Sequence, residues 1–167
     1  NHPATNGKYY PSLNRFLEKF EKTTGLEVII AGYPSRAKSK CDDHFGNRKV
    51  FFGKTAKLIS NAKLVFSHGS TSISFAILWR CPIVFLTSEE IIHSWYQPSI
   101  NIRHKILSAP MINIDDTNVN INLNKWVKYN EVMYKKYEEL YIKSKHSPKK
   151  SLWEIFLEIK SKSIGQN

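Results

Sequence analysis

The chain is poor in cysteine, with two among its 167 residues, Cys41 and Cys81. Two cysteines cannot build a framework of several disulfides, and neither they nor the scattered histidines show the spacing of a metal site. Cys81 lies in an apolar segment before Pro82, so we expect a small buried side chain there. These absences predict a protein of the reducing cytoplasm that needs no metal and no other cofactor.

Long apolar runs and acidic side chains are also scarce. No apolar run reaches the length of a membrane span, and no signal peptide is visible. The 14 acidic residues face 25 Lys and Arg, which gives a net charge of +11. Such an excess fits an anionic substrate, an anionic membrane surface or nucleic acid, and equally a composition biased toward Lys, Asn and Ile. Because no RNA- or DNA-binding motif accompanies the charge, nucleic acid is not an expected partner.

Short apolar segments alternate with helical patterns over most of the chain. This alternation predicts an α/β fold, with a Rossmann-like, mainly parallel sheet and helices on both faces. The predicted strands are Leu26–Gly32, Lys49–Phe52, Lys63–Ser67, Ile83–Thr87 and Met111–Ile114. The predicted helices include Pro11–Thr24, one from Thr55 to about Asn61, Ser70–Arg80, Glu89–Tyr96, Ile100–Leu107 and a C-terminal stripe of Trp126, Tyr129, Met133, Tyr137 and Leu140.

The length and the apolar content of 41% are those of one ordinary domain with a real core. We divide the chain into a Rossmann-like domain, residues 1–116, and C-terminal helices, residues 117–167, that pack on it within the same structural unit. The chain begins Asn1-His2-Pro3 and passes almost directly into a helical pattern. We therefore expect it to be the C-terminal part of a longer protein.

The stretch Ser67–Ser72 is the strongest candidate site, because it follows a buried strand and opens a predicted helix. Ligands of parallel sheets bind at the carboxyl ends of the strands, and the N–H groups of a helix start attract phosphate. Gly69 would let the backbone approach such a ligand, and His68 could donate to a phosphate or a sugar hydroxyl. The hydroxyls that could add donors are those of Ser70, Thr71 and Ser72. Ser and Thr are equally favoured as plain helix caps, so a structural role stays open.

A second candidate, Gly53-Lys54-Thr55, resembles the end of a P-loop. That motif needs a glycine five residues before Gly53, where this chain has Arg48, so a Walker-type NTPase is excluded. Gly53, Lys54 and Thr55 could still contact a phosphate or a base at a helix start. The alternative is an ordinary cap with Lys54 in solvent.

Three further polar residues follow predicted strands. Tyr33 and Arg36 lie after the first strand, where Arg36 could pair with a phosphate through two hydrogen bonds or simply stay solvated. Glu89 follows the fourth strand and could hold ribose hydroxyls, or it could be the favourable acidic first turn of a helix. None of these patterns identifies a catalytic base, so the catalytic residues are unknown from the sequence.

Four segments, in this order, resemble the C-terminal half of GT-B glycosyltransferases. They read Ile29-Ile-Ala-Gly-Tyr33-Pro34-Ser-Arg36, Phe51-Phe-Gly53-Lys54-Thr55-Ala56, His68-Gly-Ser70-Thr71-Ser72-Ile-Ser-Phe75-Ala76 and Pro82-Ile-Val-Phe85. More narrowly, they resemble bacterial capsule and surface-polysaccharide transferases. These are distantly similar to sialyltransferases, polysialyltransferases and teichoic-acid polymerases, which use CMP- or CDP-activated donors. The similarity covers about residues 1–115.

The resemblance implies the donor-binding domain of a two-domain glycosyltransferase. Its substrate would be a nucleotide-sugar, and the N-terminal half of the same protein would bind the glycan acceptor and supply the base. Ser70, Thr71 and Ser72 would bind the donor phosphate. The His-Pro pair of CMP-using relatives would fall on Tyr33-Pro34 or, as the second choice, on His2-Pro3. Tyr33 in place of His weakens a role of that position in activating the leaving phosphate. Phe75 replaces a ribose-binding Glu of many UDP- or GDP-sugar transferases, which favours a cytidine-type donor.

Two other functions stay open at this point. The chain could be a non-catalytic basic module that binds an anionic membrane or nucleic acid on a Rossmann-like scaffold. It could also be a GT-B-fold nucleotide-sugar epimerase. We expect a cytoplasmic protein, with peripheral association at the inner face of the membrane as a further option.

Overall fold

A computed structural model describes residues 3–33, 44–151 and 153–158 of the chain. The predicted site residue Arg36 and the first cysteine, Cys41, lie outside the described residues. Within the described part, no helix combines the length and the apolar character that crossing a bilayer requires.

The described residues form five short strands, all paired in parallel. One sheet joins β1 and β2, and a second sheet has the order β3-β4-β5. Helices connect the successive strands from β2 onward, so the molecule has the α/β, Rossmann-like architecture that the sequence predicts. The strands are β1 (Ile30–Gly32), β2 (Val50–Phe52), β3 (Val65–Ser67), β4 (Ile83–Thr87) and β5 (Met111–Asn113).

The helices before and between the strands are α1 (Asn6–Thr24), α2 (Thr55–Ser60), α3 (Ile73–Leu78), α4 (Glu89–Ile92) and α5 (Gln97–Leu107). The last strand is followed by α6 (Leu123–Trp126), α7 (Glu131–Tyr137), a π-helical turn (Glu138–Ile142) and a short helix at residues 153–158.

The core is centred on β4 and on one face of α1. All five residues of β4 are buried, as expected for a central parallel strand covered on both faces. The apolar stripe of α1 recurs at helical spacing and packs its rings against the sheet, with Phe16 and Phe20 both edge-on to Phe66 of β3. Trp126 stacks on Phe20 at 6.2 Å and closes this aromatic cluster. The buried side chains of the stripe are Leu13, Phe16, Leu17 and Phe20.

The first helix begins earlier than its sequence pattern predicts, at Asn6 instead of Pro11. Proline in a helix interior removes a hydrogen bond, which is why the pattern favours a start at Pro11. Packing overrides this preference here. Tyr9 is buried, and the Thr5 N–H and hydroxyl both donate to the carboxylate of Glu90, which fixes the start of the helix. Gly25, with φ of +69°, ends the helix as expected.

The first predicted strand, Leu26–Gly32, is wrong in its length. The strand is confined to β1, and the side chains of Ile29 and Ala31 are exposed. The sequence pattern is apolar on both faces, but β1 borders an open cleft instead of a second buried strand.

The helix predicted from Ser70 also begins later, at Ile73, and ends at Leu78. Ser70, Thr71 and Ser72 lie before it in tight turns, in which the N–H groups of Ile73, Ser74 and Phe75 each donate to the carbonyl three residues earlier.

The C-terminal stripe does not form one continuous helix. The chain leaves α6 after Trp126 and restarts at α7, because the side chain of Asn130 accepts from the Met133 N–H and caps a new helix. Trp126 is buried whereas Leu140 is 64% exposed, so the two do not share a buried face. Tyr134, fully buried, donates its hydroxyl to the carbonyl oxygen of Cys81 at 3.1 Å and holds α7 against the core. The domain division at residue 116 stays a prediction.

Candidate functional site

A large cleft of about 1210 Å³ opens between the two sheets. Residues of β1 line one side and residues of β3 line the other. Residues of α1 and α2 complete the lining. Small-molecule pockets usually fall in the range of roughly 300–1,000 Å³, so this cleft can hold a ligand of nucleotide size or above.

The cleft lies at the gap between the two sheets, where β1 and β3 are not hydrogen-bonded to each other. Across the two sheets the order reads β2-β1 and then β3-β4-β5, with β1 and β3 facing each other over the cleft. In doubly wound folds of this order, ligands bind in the crevice at the carboxyl ends of these two strands. The geometry therefore makes this cleft the candidate ligand site of the chain.

Polar side chains that follow three successive strands line this cleft. The residue after β1 is Tyr33, which is 71% exposed. Lys54 and Thr55 follow β2 at the start of α2. The turn after β3 contributes Ser70, Thr71 and Ser72. These six sequence-predicted residues line the same cleft although 39 positions separate Tyr33 from Ser72 in the chain.

The turn between β3 and α3 is held by its own hydroxyls. The buried Ser67 Oγ accepts from the N–H groups of Gly69 at 3.1 Å and Ser70 at 3.3 Å. The Ser70 Oγ accepts from the N–H of Ser72, and the Ser72 hydroxyl donates to it at 2.9 Å. Part of the hydroxyl content therefore fixes the loop, while Ser70 and Thr71 remain exposed to the cleft.

Gly69 serves the fold instead of opening the backbone to a ligand. Its φ is +104°, a conformation that side chains rarely adopt. A Cβ at this position would lie 3.2 Å from the Arg103 guanidinium and 3.6 Å from the Tyr96 hydroxyl oxygen. Neither Gly69 nor Gly53, which has φ of +67°, lines the cleft. Both glycines shape loops whose neighbouring residues reach it.

His68 lines the cleft, but both of its ring nitrogens are engaged. The Nδ1 lies 2.8 Å from the Leu86 carbonyl oxygen, which can only accept, so Nδ1 carries a proton. The Nε2 lies 2.5 Å from the Tyr9 hydroxyl, and in the neutral ring it accepts the hydroxyl proton. Burial raises the pKa of Tyr9, which keeps this proton on the hydroxyl. The geometry therefore gives His68 a positioning role between α1 and β4, in place of the predicted donation to a ligand.

Lys54 is one of three lysines that line the cleft, with Lys57 and Lys63. Its ammonium lies 5.4 Å from the centre of the Phe51 ring, an arrangement that favours a cation over an aromatic face. The nearby Arg48, which excludes a P-loop, is committed to the fold instead. Its guanidinium pairs with the carboxylate of Glu21 at 2.7 Å and donates to the side chain of Asn14.

Glu89 does not line the cleft. One carboxylate oxygen accepts from the side-chain amide of Asn113 at 2.6 Å, and its own N–H donates to the carboxylate of Asp115 at 2.7 Å. Glu89 thus occupies the acidic first turn of α4 and ties β5 to that helix, which is the alternative that the sequence leaves open.

Sequence reasoning missed the pairs that join α1 to the end of the sheet. Tyr9 meets His68 across 59 positions, and Thr5 meets Glu90 across 85. The hydrogen bond from the Thr5 N–H lowers the pKa of Glu90. No local pattern signals such pairs, because each residue taken alone reads as an ordinary part of a helix.

No cluster of His, Cys, Asp or Glu that could hold a metal ion occurs in residues 3–33, 44–151 and 153–158. In comparisons with known proteins, no family model, no curated protein and no solved structure matches this chain. The proposed function therefore rests on the fold and on the residues that line the cleft.

Proposed function

We propose that this chain is the donor-binding half of a glycosyltransferase that builds bacterial surface polysaccharide. Its ligand is a nucleotide-sugar, of CMP or CDP type, and the protein works in the cytoplasm. The observation that carries the proposal is the convergence of Lys54, Thr55 and Ser70–Ser72 on one cleft at the carboxyl ends of β2 and β3.

The chemistry of the cleft suits a phosphate group. Hydroxyl donors lie on one wall and an ammonium on the other, and hydrogen bonds from such groups to an anion are stronger than neutral ones. The exposed Ser70 and Thr71 hydroxyls can turn toward a ligand while Ser67 keeps the loop in place. Apolar side chains also line the cleft, among them Phe51 and Phe75. They can pack against the base or the sugar ring of a ligand.

Transfer of a sugar breaks the bond between the anomeric carbon and the phosphate oxygen of the donor. Negative charge then develops on the departing phosphate, and donors already aimed at it stabilise the transition state. In this proposal Thr71, Ser70 and Lys54 perform that task. The acceptor and the general base come from the N-terminal half of the same protein, so the chain by itself binds donor weakly and turns over little.

The choice of a cytidine-type donor rests on Phe75. This side chain is 38% exposed and lines the cleft beside the hydroxyl turn. A phenyl ring cannot accept a hydrogen bond from ribose, so a carboxylate–ribose contact of the kind that selects many UDP- or GDP-sugars has no counterpart at this position.

Isothermal titration calorimetry with CMP, CDP, UDP and GDP tests the proposal. We expect measurable binding, strongest for the cytidine nucleotides. The Ser70→Ala/Thr71→Ala variant loses donors to a charged group, so its affinity falls at least about tenfold. Failure to bind any of the four nucleotides would refute the donor-site assignment.

A matched control is the Thr23→Ala/Ser60→Ala variant. Both hydroxyls donate to carbonyls of their own helices, and neither residue lines the cleft. Its nucleotide affinity stays that of the unmodified chain. Equal affinities of the two double variants would also contradict the proposal, provided that circular dichroism shows both folded.

A further inference from the structure

The C-terminal lysine-rich segment, residues 140–151 and 153–158, carries an unusual surface. Five large apolar side chains in it are 50–74% exposed. They are Leu140, Tyr141, Trp153, Phe156 and Leu157. Exposed apolar patches on a protein surface often mark the site at which another molecule binds.

Cationic side chains intersperse these apolar residues. Lys143, Lys145, Lys149 and Lys150 are all exposed. Long lysine side chains can lay their carbon stems along an apolar surface while the ammonium reaches charged groups. A protein core would exclude so many charges, whereas the headgroups of anionic lipids attract them.

The helix at residues 153–158 starts by its own local signal. The Ser151 Oγ accepts from the Glu154 N–H at 3.2 Å, and the Glu154 carboxylate accepts from the Ser151 N–H at 2.6 Å. This reciprocal capping box fixes a helix start without tertiary packing. The helix then places Trp153, Phe156 and Leu157 on one face, three and four positions apart, with the two rings in edge contact at 6.2 Å.

Both acidic residues of this helix are engaged by residues that precede it. Glu158 forms an ion pair with Lys150, and Glu154 is the capping residue, where the Ser151 backbone N–H lowers the pKa of its carboxyl. Lys143, Lys145 and Lys149 are left to act outward, because none of them takes part in an ion pair with the rest of the described chain.

We propose that the lysine-rich segment docks on an anionic lipid surface, with Trp153, Phe156 and Leu157 in the interface and the lysines on the headgroup phosphates. Helices of this type lie in the plane of the interface, with apolar and aromatic residues toward the acyl chains and cations toward the headgroups. The docking is independent of donor binding at the cleft. It would hold the proposed donor cleft at a membrane surface.

Flotation of the 167-residue chain with lipid vesicles tests this docking. We expect binding to vesicles of phosphatidylcholine mixed with phosphatidylglycerol, weakened by salt, and little binding to phosphatidylcholine alone. The Lys145→Gln/Lys149→Gln variant loses roughly fivefold in partitioning for each lysine. Trp153→Ala loses about tenfold or more, because one large ring no longer leaves water.

The chain offers close controls for both changes. Trp95 is 75% exposed against 74% for Trp153, so Trp95→Ala removes an equally exposed indole on another element. Lys105→Gln/Lys125→Gln removes two exposed lysines of α5 and α6. Both controls keep the vesicle binding of the unmodified chain. Circular dichroism checks that every variant is folded.

Three results would overturn the docking. One is equal binding to neutral and anionic vesicles, and another is equal loss in the Trp95 and Trp153 variants. The third is a concentration-dependent dimer in light scattering that Trp153→Ala dissolves without any vesicle binding, which would assign the face to a second copy. Nucleotide titration is unaffected by these variants in either case, so the docking and the donor site can fail separately.

Discussion

The central strand β4 of one sheet and the two strands of the other sheet differ sharply in how far they are buried. Every residue of β4 is buried, and its neighbours β3 and β5 cover it on both edges. The strands of the other sheet, β1 and β2, are at most half-buried, and Ala31 is exposed. β4 therefore forms the buried centre of the core, while β1 and β2 provide a wall of the cleft.

This division explains why the candidate site lies at the seam. The turn after β3 is anchored in the buried sheet, through Ser67 and through His68 to Leu86 of β4. Lys54 and Thr55 come from the exposed sheet across the cleft.

The largest expected effect comes from emptying the core of the buried sheet. Phe85 of β4 is 0% exposed, so Phe85→Ala should cost about 3–5 kcal/mol of unfolding free energy. Phe51→Ala, in half-buried β2, should cost clearly less, because part of its ring already meets water. Urea unfolding followed by circular dichroism measures both. Equal losses would contradict the conclusion that β4 is more deeply buried than β2.

A second contrast concerns two glycines. Gly69→Ala should cost about 1–3 kcal/mol, because φ of +104° is strained for alanine and its Cβ would press on Arg103 at 3.2 Å. Gly7 lies in α1 with open space around it, so Gly7→Ala should stabilise by about 0.5–1 kcal/mol. Thermal unfolding of the two variants should therefore shift in opposite directions. A harmless Gly69→Ala change would show that the turn is not tied to the buried sheet.

The hydroxyl of Tyr9 allows a third test, at about 1–2 kcal/mol. Tyr9→Phe removes the hydroxyl that donates to Nε2 of the half-buried His68, whereas Tyr10→Phe changes a ring that stacks on His44. We expect a loss of stability for the first and little change for the second in urea unfolding. The same result for both would mean that the Tyr9–His68 contact does not hold the turn.

Alkaline pH gives a fourth test of the same buried tyrosine. Burial raises the pKa of Tyr9 above its ordinary value of 10.0, so the unfolded chain releases this proton more easily. Stability is therefore full below about pH 10 and falls as pH rises further, by about 1.4 kcal/mol per pH unit for each such group. Unfolding measured from pH 8 to 11 should show the fall, and Tyr9→Phe should make it shallower. An unchanged slope would refute the role of Tyr9.

Much of the fold is predictable from sequence, for reasons that particular elements make clear. Strand β4 has its predicted bounds. A short continuous apolar run is typical of a buried strand, and Ser88, which caps the next helix, marks where the strand ends. The pattern also predicts Lys54, Thr55 and the Ser70–Ser72 turn at strand ends. It fails at Leu26–Gly32, because sequence does not reveal that one side of this strand faces a cleft.

The rest of the site depends on long-range packing that no local pattern encodes. His68 reads as a ligand donor until Tyr9, from a helix 59 positions away, occupies its Nε2. Glu89 reads as a ribose contact until Asn113 and Asp115 engage it. In both cases a polar residue beside a strand end has two available roles, and tertiary contacts choose between them.

The smallest expected effect distinguishes two hydroxyls of one turn. Ser67 is buried and accepts two backbone N–H groups, so Ser67→Ala should cost about 1–2 kcal/mol in urea unfolding. Thr71 is exposed in the cleft, so Thr71→Ala should change stability by less than about 0.5 kcal/mol. In nucleotide titration Thr71→Ala should lose affinity, although in urea unfolding it remains as stable as the unmodified chain. If Thr71→Ala instead unfolds as easily as Ser67→Ala, the whole turn belongs to the buried sheet and its hydroxyls are structural caps.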